Sequence, residues 1–419
     1  MSRFRSDRRD RTVAVKRVLS FGMGCLLACG GLAATREAAA SAHVNRPAAA
    51  TAAAPDPEAL LFDIYRELSA DNLHKALASA DRLVAAYPTF HLGQLIRGDL
   101  LMMQTHPVTT FGDVNGPKDR LNDLREEAMV RLHSLQHRPD PRLLPRAILR
   151  LRDDQKHALL VDARHSRLYL YENHDGQPKY VADYYISQGK LGVNKLKAGD
   201  QKTPLGVYYI TAHLPGARLP DIYGSGALPI NYPNEWDRLN GRSGYGIWLH
   251  GTPASSYSRP PLSSDGCVVL TNPDLYRITN SVEIGKTPVV ISDDAQFVSK
   301  ARWTRDRDLA ARLLENWRRD VENRDQLRLM GEYSPHFRAQ GSESLSAWLT
   351  AHDQFMRNSR KLSVKLHDVT SFFYPGATDM IVSTFTEDVT AGRSRSTLRK
   401  RQYWVKDGSQ WKILYELNL

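Results

Sequence analysis

The spacing of apolar residues changes near residue 157, and this change divides the chain into regions of different secondary structure. From Pro57 to about Asp153, apolar residues recur every three or four positions, which predicts helices. From His157 onward, short runs rich in Val, Tyr, Leu and Ile are separated by turn sequences such as His174 to Pro178, which predicts strands joined by hairpins. We therefore expect a helical region followed by a β-sandwich or open barrel.

A third region follows the strands. Residues 299–330 are charged and have a helical apolar stripe, and Leu345 to Met356 predicts a further helix. Four β-rich runs then extend to residue 416, and the last two are joined at Asp407-Gly408, which is typical of a tight hairpin. A helix followed by a long antiparallel sheet resembles the nuclear-transport-factor-like cone fold.

The predicted fold class is thus a multidomain α+β protein. It has an N-terminal helical region (57–155), a central, mostly-β sandwich (156–295) and a helical connector (296–332). A C-terminal α+β cone fold, with helices packed on a curved antiparallel sheet, covers residues 333–419. Leu73 to Met103 resembles one helix pair of a tetratricopeptide-type repeat, so packing, dimerisation and peptide binding all stay open for the first region.

The first 42 residues have the order of an export signal. Seven Lys or Arg side chains lie within 17 positions, an apolar, glycine-rich run from Val18 to Ala34 follows, and residues 38–42 offer small-residue cleavage sites. We therefore expect a periplasmic or other cell-envelope protein whose residues 43–56, rich in Ala and Pro, form a flexible tail. A lipid on Cys29 and an uncleaved membrane anchor stay open as alternatives.

The charge of the chain does not indicate a nucleic-acid partner. The formal net charge is +11, and part of that surplus lies in the export signal. We expect no nucleic-acid binding, and a mildly basic protein suits an anionic envelope polymer. The histidines at 157, 165, 174 and 213 have no metal-ligand spacing, and we expect neither a metal nor a cofactor.

Two side chains at strand ends could carry nucleophilic chemistry. His250 ends one short apolar run and Cys267 opens another, both beside glycine-containing turns. A cysteine attacks as a thiolate, and His250 is the neighbour expected to lower its pKa. The Gly251 carbonyl would orient the imidazole, and N–H groups near Gly266 would stabilise an oxyanion. Since the other two cysteines lie in the export signal, Cys267 is a solitary thiol in an oxidising compartment, which favours a reactive role.

Several polar residues could contact a substrate in the same cleft. Arg259 lies on the loop between His250 and Cys267, where it could bind a carboxylate or form a salt bridge that holds the loop. The other candidates are Ser264, Tyr232 and Asn234, and the last two could equally brace the cleft. Asp265 could tune the thiol or cap its turn, and Trp248 is expected to face away from the imidazole into the core.

The residues around these two side chains resemble a known family. The motifs are Leu249-His250-Gly251-Thr252-Pro253, Arg259-Pro260-Pro261 and Ser263-Ser264-Asp265-Gly266-Cys267-Val268-Val269-Leu270. Together with upstream segments they resemble the L,D-transpeptidase catalytic (YkuD) family over about 140 residues. The resemblance implies a cysteine enzyme that acts on peptidoglycan stem peptides. Most members have histidine where Asp265 stands and arginine where Val269 stands, and this version is similar to the murein-trimming and lipoprotein-detaching subgroup.

The order of the three regions is similar to that of the cell-shape L,D-carboxypeptidases of Gram-negative bacteria. This resemblance implies that the enzyme cleaves stem tetrapeptides between the third residue and the terminal D-alanine through a thioester. Formation of 3-3 cross-links, or attachment and detachment of a protein at the murein, stays open as an alternative. An alternative of another class is a peptidoglycan-binding scaffold without catalysis, and a homodimer through either flanking domain is also open.

Overall fold

The computed structural model describes residues 55–108, 110–112, 117–339, 344–354, 362–377 and 379–419. The predicted export signal, most of the predicted tail and Cys29 lie outside these residues. Within the described ranges, no helix is both long enough and apolar enough to cross a membrane.

The N-terminal region is a set of helices around one apolar core. The helices are α1 (Pro57–Ser69), α2 (Leu73–Ala86), α3 (His91–Met102) and α4 (Lys118–Gln136). The side chain of Asp56 caps α1 by accepting from the Glu58 N–H at 3.0 Å. The helical pattern was expected to continue to residue 155, but helix α4 ends at Gln136, because prolines at 139, 141 and 145 interrupt it. Two short strands, β1 (Leu144–Pro145) and β2 (Ile148–Arg150), lie between the end of α4 and residue 155.

The central region contains two principal sheets that share a core. Its elements are β3 (His157–Asp162), β4 (Arg167–His174), β5 (Gln177–Tyr185), β6 (Gln188–Gly189), β7 (Gly206–Tyr209), β8 (Leu214–Pro215), β9 (Gly226–Pro229), α5 (Glu235–Leu239), β10 (Trp248–His250), β11 (Leu262–Ser264), β12 (Val268–Val269), α6 (Asn272–Ser281) and β13 (Pro288–Ser292). One sheet has the order β5-β4-β3-β13-β7 and the other β12-β10-β9-β8. Apolar side chains from both sheets, such as Leu159, Val161 and Leu249, are fully buried in one cluster. The predicted sandwich is confirmed.

The C-terminal region is a long curved sheet with helices on one face. Its elements are β14 (Phe297–Val298), α7 (Lys300–Asn323), α8 (Gln326–Gly331), β15 (Tyr333–Ala339), α9 (Leu345–Gln354), β16 (Leu362–Phe373), β17 (Met380–Ala391), β18 (Ser394–Asp407) and β19 (Gln410–Asn418). The sheet order is β15-β19-β18-β17-β16-β2. The predicted α+β cone fold is confirmed.

Two elements outside the predicted C-terminal range pack with this sheet. Helix α7 was expected to be a connector, but its buried Trp317 belongs to the same apolar cluster as Trp404 and Phe385 of the sheet. It is therefore part of the cone. Strand β2, which precedes the central region in sequence, completes the sheet at its edge by pairing Ser371 with Arg150. The chain thus contributes to the C-terminal sheet before it enters the sandwich.

Helix α5 joins the sandwich to the cone. The Trp236 ring stacks on Tyr403 with centroids 5.0 Å apart. The Glu235 carboxylate pairs with Arg401 and accepts from the Tyr403 hydroxyl at 2.7 Å. Because aromatic stacking is combined with a largely buried ion pair, the two domains are held in one arrangement at this contact.

Candidate active site

Strand register places the predicted nucleophile and base on one face of the smaller sheet. Strands β10 and β12 are parallel, with Leu249 opposite Val268 and His250 opposite Val269. Leu249 and Val268 point into the sandwich core. Side chains alternate along a strand, so His250 lies on the other face, and Cys267, directly before β12, follows the same alternation to that face. The structure therefore brings the imidazole and the sulfur to the same side.

His250 is held as a neutral imidazole. Its side chain is 3% exposed, and Nδ1 lies 2.7 Å from the Gly251 carbonyl oxygen. Since a carbonyl can only accept, Nδ1 carries the hydrogen and Nε2 keeps a lone pair. Burial lowers the pKa of His250 to about 4, and the nearby positive charge of Arg259 acts in the same direction. The Tyr223 ring contacts the imidazole edge-on, with centroids 5.1 Å apart.

Gly251 accepts from the imidazole through its carbonyl, and packing leaves no room for a side chain at this position. A Cβ at this position would lie 2.1 Å from Oδ1 of Asn272. That oxygen already accepts from the Ser225 N–H at 2.8 Å, while the amide nitrogen of Asn272 donates to the Thr252 carbonyl at 2.8 Å. Asn272 therefore fastens the chain after His250 to the start of helix α6.

The thiol of Cys267 is protonated in the resting protein. Its side chain is partly buried, and Sγ donates to the Gly246 carbonyl at 3.3 Å. Burial raises the pKa of Cys267 above its usual value, although the Trp248 N–H and the charge of Arg259 work in the opposite direction. The sequence predicted a thiol pKa lowered by His250. The structure differs because burial dominates and the imidazole beside it is itself uncharged.

Ser264 organises the turn before the thiol. Its hydroxyl donates to the Cys267 carbonyl at 2.6 Å and accepts from the Gly266 N–H at 3.1 Å. Ser264 is 3% exposed, and its hydrogen bonds are made within the turn, so this geometry argues against the predicted substrate contact. The Gly266 N–H was expected to stabilise an oxyanion, but it already donates to the Ser264 hydroxyl. The Cys267 N–H has no hydrogen-bond partner within the described residues and is the remaining donor.

Asp265 ties the same turn to its neighbours from outside. Its exposed carboxylate lies 3.1 Å from Nζ of Lys190 and accepts from the Gln201 amide at 3.1 Å. The side chain that hydrogen-bonds to the backbone of the turn belongs to Ser264 rather than Asp265. Asp265 nevertheless adds a negative charge that helps to raise the pKa of Cys267.

Arg259 presents a positive charge to both reactive groups. Its half-buried guanidinium donates to the Ser263 carbonyl and, within the described part of the chain, makes no salt bridge. Its charge acts on the pKa values of His250 and Cys267. The structure therefore does not support the alternative that Arg259 holds the loop by a salt bridge. An unpaired guanidinium at this point can receive a carboxylate.

Tyr232 and Asn234 have bracing positions. The Tyr232 hydroxyl donates to the Ser243 carbonyl at 3.0 Å, and the side chain is 6% exposed. Asn234 caps helix α5 by accepting from the Asp237 N–H at 2.9 Å. Its amide nitrogen donates to Tyr374 of the cone at 3.2 Å. Of the two readings that the sequence left open for these residues, the structure favours the one in which they support the cleft.

Trp248 does not face away from the imidazole. It lies two positions before His250 on the same strand, so the two side chains share a face. The Trp248 ring is 4.9 Å from Tyr223, which also contacts His250. Tyr223 was missed because a lone aromatic residue at the end of a short 3-10 helix (Asp221–Tyr223) has no distinguishing pattern. Together these rings form an aromatic wall beside the reactive groups.

One group of side chains elsewhere has metal-ligand proximity. Among the described residues, ligand atoms of Asp162, His165 and Asp294 lie within 4.8 Å of one another. Asp162 accepts from His165 at 2.9 Å, and Asp294 pairs with Arg164 at 3.1 Å. These contacts account for the side chains, and the group lies at the β3–β4 turn rather than beside Cys267.

Comparison with known proteins agrees with this geometry. Residues 156–291 match the L,D-transpeptidase catalytic domain (YkuD), and residues 309–417 match the Cds6 C-terminal NTF2-like domain. The chain therefore contains a YkuD catalytic domain followed by an NTF2-like domain. No protein among those with curated descriptions matches it.

Two solved structures share most of the architecture. Bd1075 of Bdellovibrio bacteriovorus is 27% identical, with a TM-score of 0.58 over 66% of this chain and 98% of that chain. The helical cell shape determining protein Pgp2 from Campylobacter jejuni is 23% identical, with a TM-score of 0.55 over 65% of this chain and 95% of that chain. At these identities the likeness to Pgp2 establishes a common fold.

Proposed function

We propose that this protein is a peptidoglycan L,D-carboxypeptidase, which removes the terminal D-alanine from stem tetrapeptides. The observation that carries the proposal is the neutral, Nδ1-protonated His250 on the same face as Cys267, with the unpaired Arg259 beside both. A base, a nucleophile and a carboxylate receptor are the groups that this reaction requires. The YkuD domain supports the same class of chemistry.

The reaction begins with proton transfer. Nε2 of His250 takes the thiol proton as Sγ of Cys267 attacks the carbonyl carbon of the third stem residue. The Cys267 N–H donates to the oxyanion that forms. The intermediate then collapses, the C–N bond breaks, and the imidazolium returns the proton to the departing amine of D-alanine. A thioester between Cys267 and the shortened peptide results.

Water completes the cycle in the trimming reaction. His250, neutral again, removes a proton from water as the oxygen attacks the thioester carbonyl. The C–S bond breaks and the proton passes from the imidazolium to sulfur, which restores the thiol and releases a tripeptide. If an amine from a second stem attacked instead, a 3-3 cross-link would form.

Arg259 is assigned to the carboxylate of the terminal D-alanine. A guanidinium can bind a carboxylate through two parallel N–H···O bonds, which fixes the orientation of the scissile bond as well as the distance. Burial lowers the pKa of Arg259 from its ordinary value, but a guanidinium remains charged throughout the physiological range. A substrate without a free terminal carboxylate would therefore bind poorly.

Trimming is preferred to cross-linking because of residue 269. The family position that carries arginine in cross-linking members is Val269 here, and it is 2% exposed, opposite His250 in the strand pair. An apolar, buried residue leaves no charged group at this point for a second stem peptide. The order of the domains supports the same preference.

Product analysis distinguishes the two reactions. Purified protein incubated with tetrapeptide muropeptides should yield tripeptide and free D-alanine, and both should be absent with Cys267→Ala. A 3-3 linked dimer as the main product would contradict trimming and identify the reaction as transpeptidation. If neither product forms and a carbapenem fails to acylate Cys267, the protein is a scaffold rather than an enzyme.

Export to the cell envelope completes the proposal, because the substrate is located there. The supporting observations are the signal-like order of residues 1–42 and the YkuD domain. Fractionation of cells that express the full chain tests it: the protein should be recovered with the periplasm or the envelope, and palmitate labelling would show whether Cys29 is modified.

A further inference from the structure

The loop from residue 251 to 261, which carries Arg259, rests on the helical region. The Tyr257 ring lies 4.7 Å from Tyr87 and 4.9 Å from Phe90, measured between centroids. Its backbone N–H donates to the Thr89 carbonyl at 3.1 Å. Tyr257 packs against the apolar core of helices α1 to α4, although it belongs to the catalytic domain in sequence.

The next residue, Ser258, is bound to a buried ion cluster. Its hydroxyl donates to Oε1 of Glu127 at 2.6 Å, and the same oxygen accepts from Nε of Arg131 at 2.9 Å. A second carboxylate, from Glu58, also pairs with this guanidinium. Glu127 and Arg131 are 1% and 2% exposed. Because an unpaired buried charge is strongly unfavourable, this cluster forms a rigid anchor for the loop.

A second set of contacts reaches the backbone of Arg259. The Arg131 guanidinium lies over the Tyr185 ring, with its central carbon 3.7 Å from the centroid. The Tyr185 hydroxyl donates to the Arg259 carbonyl at 2.9 Å, and the Ser187 hydroxyl donates to the same oxygen at 2.8 Å. The helical region thus contacts Tyr257 and Ser258 directly and reaches Arg259 through Tyr185, while Ser187 of the catalytic domain gives the Arg259 carbonyl a second hydrogen bond.

We propose that the helical region positions the catalytic loop, and that Tyr257 and Ser258 are its positioning residues. Apart from its hydrogen bond to the Ser263 carbonyl, the Arg259 guanidinium makes no salt bridge within the described residues, so its place depends also on how its backbone is held. The inference rests on the proposed function only in assigning the substrate carboxylate to this guanidinium. It gives the helical region a role inside the chain, distinct from dimerisation or capture of a foreign peptide.

The expected effect on catalysis is a rise in KM. The terminal carboxylate is bound by Arg259 in both the ground state and the first transition state, so a displaced guanidinium weakens both equally. A hydrogen bond to a charged group contributes roughly 10- to 100-fold in affinity. We expect Tyr257→Ala to raise KM for the tetrapeptide about tenfold and to change kcat less than about threefold. Tyr257→Phe, which keeps the ring, should resemble the wild type.

A second readout does not depend on peptidoglycan. Iodoacetate and iodoacetamide alkylate the same sulfur, but only iodoacetate carries a carboxylate. With Arg259 in place, the ratio of their rate constants at Cys267 should exceed the ratio for a free thiol, and Arg259→Met should abolish the excess. Tyr257→Ala should lower the ratio at least halfway to the Arg259→Met value, which a merely structural loss of stability would not do.

The matched control is Leu100→Ala in helix α3. Leu100 is 1% exposed in the same core but lies ten residues beyond Phe90, about 15 Å away along the helix. It should reduce the melting temperature while leaving KM and the alkylation ratio unchanged. Ser258→Ala, which removes one hydroxyl, is the second variant if Tyr257→Ala does not fold, and it should lower the ratio at least twofold.

The outcomes separate the two proposals. If the wild type lacks trimming activity but the alkylation ratio falls as described, the proposed reaction fails and the positioning role stands. The positioning role is refuted if folded Tyr257→Ala or Ser258→Ala keeps the wild-type ratio, or if Leu100→Ala lowers it equally. It is also refuted if Arg259→Met leaves the ratio unchanged, since the guanidinium would then not face the sulfur.

Discussion

Alkylation of Cys267 by iodoacetamide as a function of pH tests the resting protonation state of the site. The pKa of the thiol is raised above its usual 9.0 by burial, whereas burial lowers that of His250 to about 4. The two values differ by more than five units, and each unit corresponds to about 1.4 kcal/mol. Moving the proton from sulfur to imidazole in the free protein therefore costs on the order of 7 kcal/mol, before the attraction between the two new charges offsets part of it.

The assay is the second-order rate constant for alkylation, followed by intact mass from pH 6 to 9.5. Only the thiolate reacts, and below the thiol pKa its fraction rises tenfold per pH unit. We expect that slope up to about pH 9 with no plateau, and the same slope in His250→Gln. A preformed thiolate–imidazolium pair would instead give a rate that is nearly constant across neutral pH and is lost in His250→Gln. That result would refute the assignment of two neutral groups.

Three further predictions concern stability and geometry. Because the pKa of His250 is lowered from 6.5 to about 4 in the folded state, its contribution to stability is complete above pH 6.5 and is lost on acidification to pH 4. Over that range, urea denaturation should show the wild type losing about 3 kcal/mol more than His250→Gln, and equal losses would contradict the shift. Arg131→Met should lower the free energy of unfolding by about 3–5 kcal/mol, because two carboxylates lose their buried cation; a change below about 1 kcal/mol would show that the cluster is hydrated. Gly251→Ala, whose Cβ would meet Asn272 at 2.1 Å, should slow acylation of the thiol by a carbapenem about 100-fold. Gly98→Ala, with no atom within 4 Å of the new Cβ, is the control and should leave that rate unchanged.

The sequence predicted those parts of the fold that local patterns determine. The hairpin between β4 and β5 is confirmed, with His174 paired to Gln177. The last hairpin is also confirmed, although Asp407 pairs with Gln410 and the two turn residues are Gly408 and Ser409 rather than Asp-Gly. In both cases a turn signal lies between two strands that pair with each other, so all the necessary information is within about 25 residues.

The sequence could not predict contacts between distant segments. Strand β2 pairs with β16, more than 200 positions later, and a three-residue apolar run gives no indication of its partner. The contact of Ser258 with Glu127 likewise joins a loop to a helix through side chains that are common on any surface. At the site, alternation along a strand predicts the face of Trp248 from the sequence alone. The inward direction of the Ser264 hydroxyl depends instead on the conformation of the turn, which no local pattern indicates.

A neutral resting thiol suits the oxidising compartment that the proposed export implies for Cys267. Oxidation by peroxide proceeds through the thiolate, so its rate depends on the same protonation equilibrium as alkylation. In the free protein, burial and the low basicity of His250 both keep the proton on sulfur. Attack on a bound carbonyl differs, because proton transfer is then coupled to bond formation and the new negative charge moves from sulfur to the oxygen facing the Cys267 N–H. In the proposed reaction, the energy that opposes thiolate formation in the free protein therefore protects the thiol between turnovers, while the bound substrate supplies the atom on which the charge is stabilised.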